Sequence, residues 1–294
     1  MVKKSGIRKR WINNQMAVIV VLFLTNCNQH KYLSPQLSTY SFSPASLHDN
    51  TNSTVSSPPE ELGLDSLYKK YLDALGIPVV SSENVPDEAF YSVEKKVVEM
   101  MSLREDVLEK MIANKMRIAI MAETEVTTNM PEYRNWNDPS QSEGIDWDTR
   151  GRGFGATVDL PLTSCAEENL LCYGKGRDGY YKEDIFIHEF AHGIHGLGIR
   201  FIDKNINKEL RQALNNAKAK GLWKNTYAAT NIDEYFAEGV QDWFNVNAKV
   251  VPGDGIHNQI STRLELKKYD PTLYNIIKRY FPVSRKKISC HYKD

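Results

Sequence analysis

Ile187-His188-Glu189-Phe190-Ala191-His192-Gly193-Ile194-His195 holds three of the chain's seven histidines within eight residues. Its H-E-x-x-H core is the signature of a zinc peptidase. On a helix, His188 and His192 stand at i and i+4 on one face, so both imidazoles can reach a single metal ion. Glu189 is turned about 100° from His188, close enough to reach a water on that ion. Ile185, Phe190 and Ile194 supply an apolar side. The pattern predicts a helix over 183–194, closed by Gly196 and Gly198.

Catalytic zinc needs a third protein ligand and an open fourth position. His195 is the nearest candidate, but seven residues from His188 place it about 10 Å along the axis. The longer H-E-x-x-H-x-x-G-x-x-H form is not present, since His195 stands at its Gly and Gly198 at its last His. His195 is therefore expected to steady a ligand or face substrate. Another candidate lies in Asn225-Thr-Tyr227-Ala-Ala-Thr-Asn231-Ile-Asp-Glu234-Tyr-Phe-Ala-Glu238. Glu234 and Glu238 share a helix face at i and i+4, so the first carboxylate could bind metal while the second orients a ligating imidazole. Asn231-x-x-Glu234 equally fits a helix start in which Glu234 only caps. Spacing alone leaves ligand and cap open.

H-E-F-A-H followed by Tyr227 and, seven residues on, by Glu234 within E-Y-F-A-E resembles the peptidase domain of anthrax toxin lethal factor and its relatives, which include Pro-Pro endopeptidases. These are zincins of the gluzincin type. The resemblance covers about residues 155–247. It implies that His188, His192 and Glu234 bind one zinc ion per chain and that Glu189 is general base. It also implies that Tyr227 is the phenol that stabilises the oxyanion, with a protein or peptide as substrate. Residues 68–280 are further similar to a set of exported proteins with the same H-E-F-A-H pattern.

Around this centre the chain reads as α+β, a helix-rich zincin-like domain with a small mixed sheet. Helices are predicted over 65–75, 86–101, 103–115, 207–220, 232–247 and 264–280, the last broken by Pro271. Residues 117–122 alternate as a strand, and 151–162 suggest a second at a sheet edge. Substrate could add to either, 117–122 or 155–160, as an extra strand. Gly151-x-Gly153-x-Gly155 lacks the spacing and preceding strand of a phosphate loop. Trp243 and Phe244 read as core, and His257 as a solvated or loop-satisfied residue.

The N-terminus reads as an address. Five cations between Lys3 and Arg10 precede an uncharged apolar run over 16–24, too short to cross a bilayer comfortably. Leu24-Thr25-Asn26-Cys27 resembles a lipoprotein box with Cys27 lipidated, although Asn26 stands where Gly or Ala is usual. A membrane tether, free secretion and an uncleaved anchor all fit, and all imply export to the cell surface, periplasm or medium. Residues 28–60 contain 18 Ser, Thr, Pro or Asn and read as a flexible stalk, leaving 61–294 as the catalytic domain. Of the three other cysteines, Cys165 and Cys172 are close enough in sequence to predict a disulfide, with Cys290 as a spare thiol.

The 294 residues carry 37 Lys and Arg against 37 Asp and Glu. Without residues 1–27, 32 cations face 37 anions, a net charge of −5, so the body has no electrostatic footprint for nucleic acid. Two other functions share the motif: a zinc-containing binding or scaffold protein that cleaves nothing, and a zinc hydrolase of a non-peptide amide.

Overall fold

The computed structural model describes residues 53–140 and 142–293. The expected export segment, Cys27 and residues 28–52 of the expected stalk lie outside the described residues. Ser56 already exchanges both backbone hydrogen bonds with Tyr71, at 2.9 and 2.7 Å, and Val55 packs on the core. The folded part therefore begins before residue 61.

Four strands form one mixed sheet in the order β1-β2-β3-β4. β1 (Lys70–Ala74) and β2 (Ile77–Ser81) are an antiparallel hairpin. Here the structure departs from the helix expected over 65–75. Tyr68, Tyr71, Leu72 and Leu75 fit a helical period, but Leu72 and Ala74 point inward while Asp73 points out, which is the alternation of a strand. Leu75 and Gly76, at φ 57° and 83°, make the two-residue turn with positive φ at both positions that suits a hairpin. Gly76 turns a hairpin rather than ending a helix.

β3 (Arg117–Met121) runs parallel to β2, and β4 (Leu162–Ala166) parallel to β3. α1 (Asp87–Met101) and α2 (Glu105–Ala113) fill the crossover between β2 and β3, close to their predicted bounds. β3 is thus an interior strand with both edges taken, which removes it as a substrate edge. The strand expected over 151–162 is reduced to one antiparallel bridge, Phe154 with Ser164, laid along β4. Val79, Ile118, Ile120 and Cys165 face the main core on one side of the sheet. Val80, Ala119, Met121 and Leu162 face Tyr68, Met130 and Tyr133 on the other.

The remaining helices are α3 (Trp147–Arg150), α4 (Glu167–Leu170), α5 (Ile185–Gly193), α6 (Arg200–Ile202), α7 (Ile206–Ala219), α8 (Ile232–Trp243), α9 (Arg263–Tyr269) and α10 (Pro271–Ile277). Gly196 and Gly198 do not close α5. The helix passes through a π turn, Ile194–Ile199, straight into α6. A Cβ on Gly198 would lie 2.5 Å from Val107 Cγ1, so this glycine serves close approach to α2 and not termination. α8 stops at Trp243 instead of 247, and Asn245 beyond it takes a left-handed φ of 61°. Trp243 and Phe244 are core, as expected.

The disulfide joins Cys172 to Cys290, 118 residues apart, and Cys165 is a buried free thiol. This corrects the Cys165–Cys172 pairing. Cys165 lies within β4 with its side chain in the core, whereas Cys172 follows α4, so the end of the strand and a turn of helix separate them. The true bridge ties the C-terminal tail to the segment preceding α5.

Candidate metal centre

Two anchors set the start of α5. Asp184 caps it, Oδ1 accepting from the Ile187 N–H at 3.1 Å while Oδ2 pairs with Lys96 Nζ of α1 at 2.8 Å. Asn169 of α4 accepts from the Ile185 N–H at 2.9 Å and donates to the Glu183 carbonyl at 2.9 Å. The C-terminal tail supports this second anchor, because His291 Nε2 donates to the Asn169 carbonyl at 2.9 Å. The helix that carries His188, Glu189 and His192 is therefore held at its first turn from two sides.

α8 packs against α5 and brings Glu234 to the two histidines. Glu234 Oε2 lies 3.1 Å from His188 Nε2 and 3.3 Å from His192 Nε2, and the two Nε2 atoms are 3.1 Å apart. Glu234 meets different partners at its two ends. Its backbone N–H donates to Asn231 Oδ1, which is the cap, while its side chain goes to the imidazoles.

The three atoms fit a metal ion on two counts. Tetrahedral zinc with bonds of about 2.0–2.1 Å has ligand–ligand edges of about 3.3 Å, matching the triangle. The donor chemistry agrees as well. Gln241 Oε1, an acceptor, lies 2.9 Å from His188 Nδ1, so Nδ1 carries a proton, which leaves the Nε2 lone pair for an ion shared with Glu234 and His192. Burial by itself would depress both imidazoles, but the Glu234 carboxylate overrides it and raises both. Burial likewise works against the ionised Glu234, yet His192 and His188 hold its carboxyl far below the usual range. The cluster thus stabilises positive charge among these three atoms, as protons or as a metal. Cys172, Cys290 and His291 also converge, but the two sulfurs are bonded to each other.

Glu189 and Tyr227 flank this triangle. Burial raises the Glu189 carboxyl, opposed by His188 and His192. The Tyr227 ring lies near-parallel to that of His188, with centroids 6.3 Å apart, and its N–H donates to the Ile256 carbonyl at 2.9 Å. Burial, then the charges of Glu234 and Glu189, raise its phenol, so it remains a proton donor. The nearby Arg150 charge opposes that rise. No sequence pattern singled out Arg150.

Other expected residues are placed differently. Glu238 Oε1 stands 3.8 Å from His188 Nδ1, and the orienting contact belongs to Gln241, three residues further along α8. Glu238 instead accepts from Asn247 Nδ2 at 3.0 Å. His195 is only 1% exposed, so it does not face substrate. Its Nε2 lies 3.0 Å from Asn207 Oδ1 and its Nδ1 3.0 Å from Asp233 Oδ1. It thereby steadies the first turn of α8, next to Glu234. His257 is buried and bonded to Glu183, not solvated.

The segment 151–157 lies directly over α5. A Cβ on Gly155 would sit 2.5 Å from His192 Cβ, and one on Gly153 would sit 3.3 Å from Glu189 Cγ. Backbone-near atoms of a helix cannot yield as a flexible side chain would. Gly155→Ala is therefore expected to destabilise the fold by about 1–3 kcal/mol, read from its denaturant midpoint, and to weaken metal binding by displacing His192.

No protein-family model matches the chain, and no curated protein matches it. Among solved structures, the chain is similar to the Pro-Pro endopeptidase PPEP-2 from Paenibacillus alvei. The TM-score is 0.46 at 17% sequence identity, over 69% of this chain and 97% of that one.

Proposed function

We propose that this chain is an exported zinc endopeptidase, with His188, His192 and Glu234 as ligands of one zinc ion, Glu189 as general base and Tyr227 as oxyanion donor. The observation that carries the reading is the triangle of three ligand atoms at 3.1–3.3 Å, with one imidazole's proton held on the far side by Gln241. Bound zinc supplies Lewis acidity toward a carbonyl and brings a coordinated water's pKa near neutrality. Glu189 takes the proton from the attacking water and later delivers it to the leaving amine. Its raised carboxyl suits it to both transfers. The Tyr227 hydroxyl donates to the oxygen on which charge develops, and the nearby Arg150 charge favours that donation. A peptide pairs along residues 153–155. There Phe154 spends its hydrogen bonds on Ser164, so the neighbouring Gly153 and Gly155 groups point away from β4. Export and a lipid tether at Cys27 are supported by the N-terminal sequence alone.

Zinc per chain after equal dialysis, measured beside Glu234→Ala, tests the centre. The parent is expected to hold one zinc and the variant to lose most of it. Zinc retained by the variant would return Glu234 to the role of a first-turn residue. Chelator-sensitive cleavage across a broad peptide library tests the activity. A zinc-loaded parent that cleaves nothing would make the chain a binding protein.

A further inference from the structure

On the side of His188 remote from Glu234, buried polar groups form a single line. His188 Nδ1 donates to Gln241 Oε1 at 2.9 Å, and Gln241 Nε2 donates to Glu183 Oε2 at 3.2 Å and to the Asp184 carbonyl at 3.1 Å. Glu183 Oε2 also accepts from His257 Nε2 at 3.1 Å. Gln241 is fully buried, and Glu183 and His257 are 7% and 9% exposed. An amide can be placed either way round, but here its surroundings choose. A carboxylate and a backbone carbonyl can only accept, so the amide nitrogen must face them and the oxygen must face His188. The His188 proton is thereby kept on Nδ1.

The far end of the line decides whether Glu183 stays in place to accept. A carboxylate this deeply buried needs a partner. His257 is that partner. Burial would lower its imidazole, but the hydrogen bond and charge of Glu183 raise it to about 9, so it is cationic at neutral pH. Glu238 adds to this, and Asp254, 3.7 Å from His257 Nδ1, faces its other nitrogen. The loop that carries His257 also holds the Tyr227 backbone through the Ile256 carbonyl.

The geometry points to His257 as a positioning residue of the metal centre: through Glu183 and Gln241 it orients His188, and its loop sets Tyr227. His257 is distant in sequence from both helices of the site and touches none of the three ligands. This role rests on the proposed metal reading of His188, His192 and Glu234.

The test uses the full-length chain as parent, His257→Ala and His257→Gln. Zinc affinity is measured by competition with a chromophoric chelator. The exchange-protected His188 Nδ1–H is followed by NMR in the zinc-loaded protein. Removing a group that orients a metal ligand costs about 10–100-fold in metal affinity. His257→Ala is expected to lose about tenfold and the protected Nδ1–H signal. His257→Gln, whose amide can still donate to Glu183, is expected to regain most of both. Should the alanine variant unfold, His257→Phe fills the volume without a donor and is expected to behave as alanine would. Alanine or phenylalanine variants that bind zinc within about twofold of the parent, with the Nδ1–H still protected, would overturn the role of His257 alone. A parent that binds no zinc would overturn the metal reading and this role with it.

Discussion

Glu189→Gln is expected to keep the metal and lose turnover by about 10²–10⁴-fold, the usual contribution of a placed general acid–base. The substitution preserves length and shape, and none of the three atoms of the His188–His192–Glu234 triangle belongs to residue 189. Metal content should therefore stay at the parent's level. On the proposed mechanism, what disappears is the carboxylate that accepts a proton from water and returns it to the leaving nitrogen. An amide can hydrogen-bond that water but cannot carry its proton. The measurement is kcat/KM on any peptide that the parent cleaves and a chelator protects, beside metal content of the same preparations. Tyr227→Phe gives an informative contrast, because on the proposed mechanism it removes a donor used only as charge develops. It should lower kcat by about 10²–10³-fold with KM little changed. Full activity in Glu189→Gln would eliminate Glu189 as base, and loss of metal in it would mean that the side chain is structural.

Much of this centre was legible in sequence because helical spacing is itself three-dimensional information. His188, Glu189 and His192 are fixed relative to one another once residues 185–193 are helical, and the apolar partners of that helix lie in the same stretch. The contacts that were missed cross between elements. Gln241 stands seven residues after Glu234, back on the same face of α8, so a buried amide in that register was a readable signal. Arg150 and His257 reach the site from a short helix and a loop, where no periodicity marks direction. The hairpin at 70–81 was obscured because Tyr68, Tyr71, Leu72 and Leu75 satisfy the helical period, and only the Leu72/Ala74 alternation and the Leu75-Gly76 turn mark the strands. Closeness in sequence also misled for Cys165 and Cys172. β4 buries Cys165 while Cys172 lies half-buried beyond α4, and the partner of Cys172 comes from 118 residues further on.

Lys96→Met is expected to cost about 3–5 kcal/mol of stability, the usual result of stripping one partner from a buried ion pair. Lys96 and Asp184 are both fully inaccessible and lie 2.8 Å apart, and Lys96 Nζ stands 5.8 Å from the Phe186 ring centroid. Without the ammonium, Asp184 must remain charged in the core or take up a proton, and either weakens the cap it gives to α5. The double variant Lys96→Met with Asp184→Asn should recover part of the loss, since it removes the unpaired charge and leaves a side chain able to accept from the Ile187 N–H. The pair also sets a pH dependence. Burial pushes the Asp184 carboxyl up, but Lys96 and then His291 outweigh it and hold it below its ordinary value. A carboxyl depressed in the folded state stabilises the fold fully above its unfolded pKa of about 3.9. That contribution fades as pH falls toward the lower folded value. Urea midpoints of parent and Lys96→Met should therefore differ most near neutrality and converge under acid. A constant difference down to pH 3 would show that Lys96 stabilises α5 by packing and not by charge.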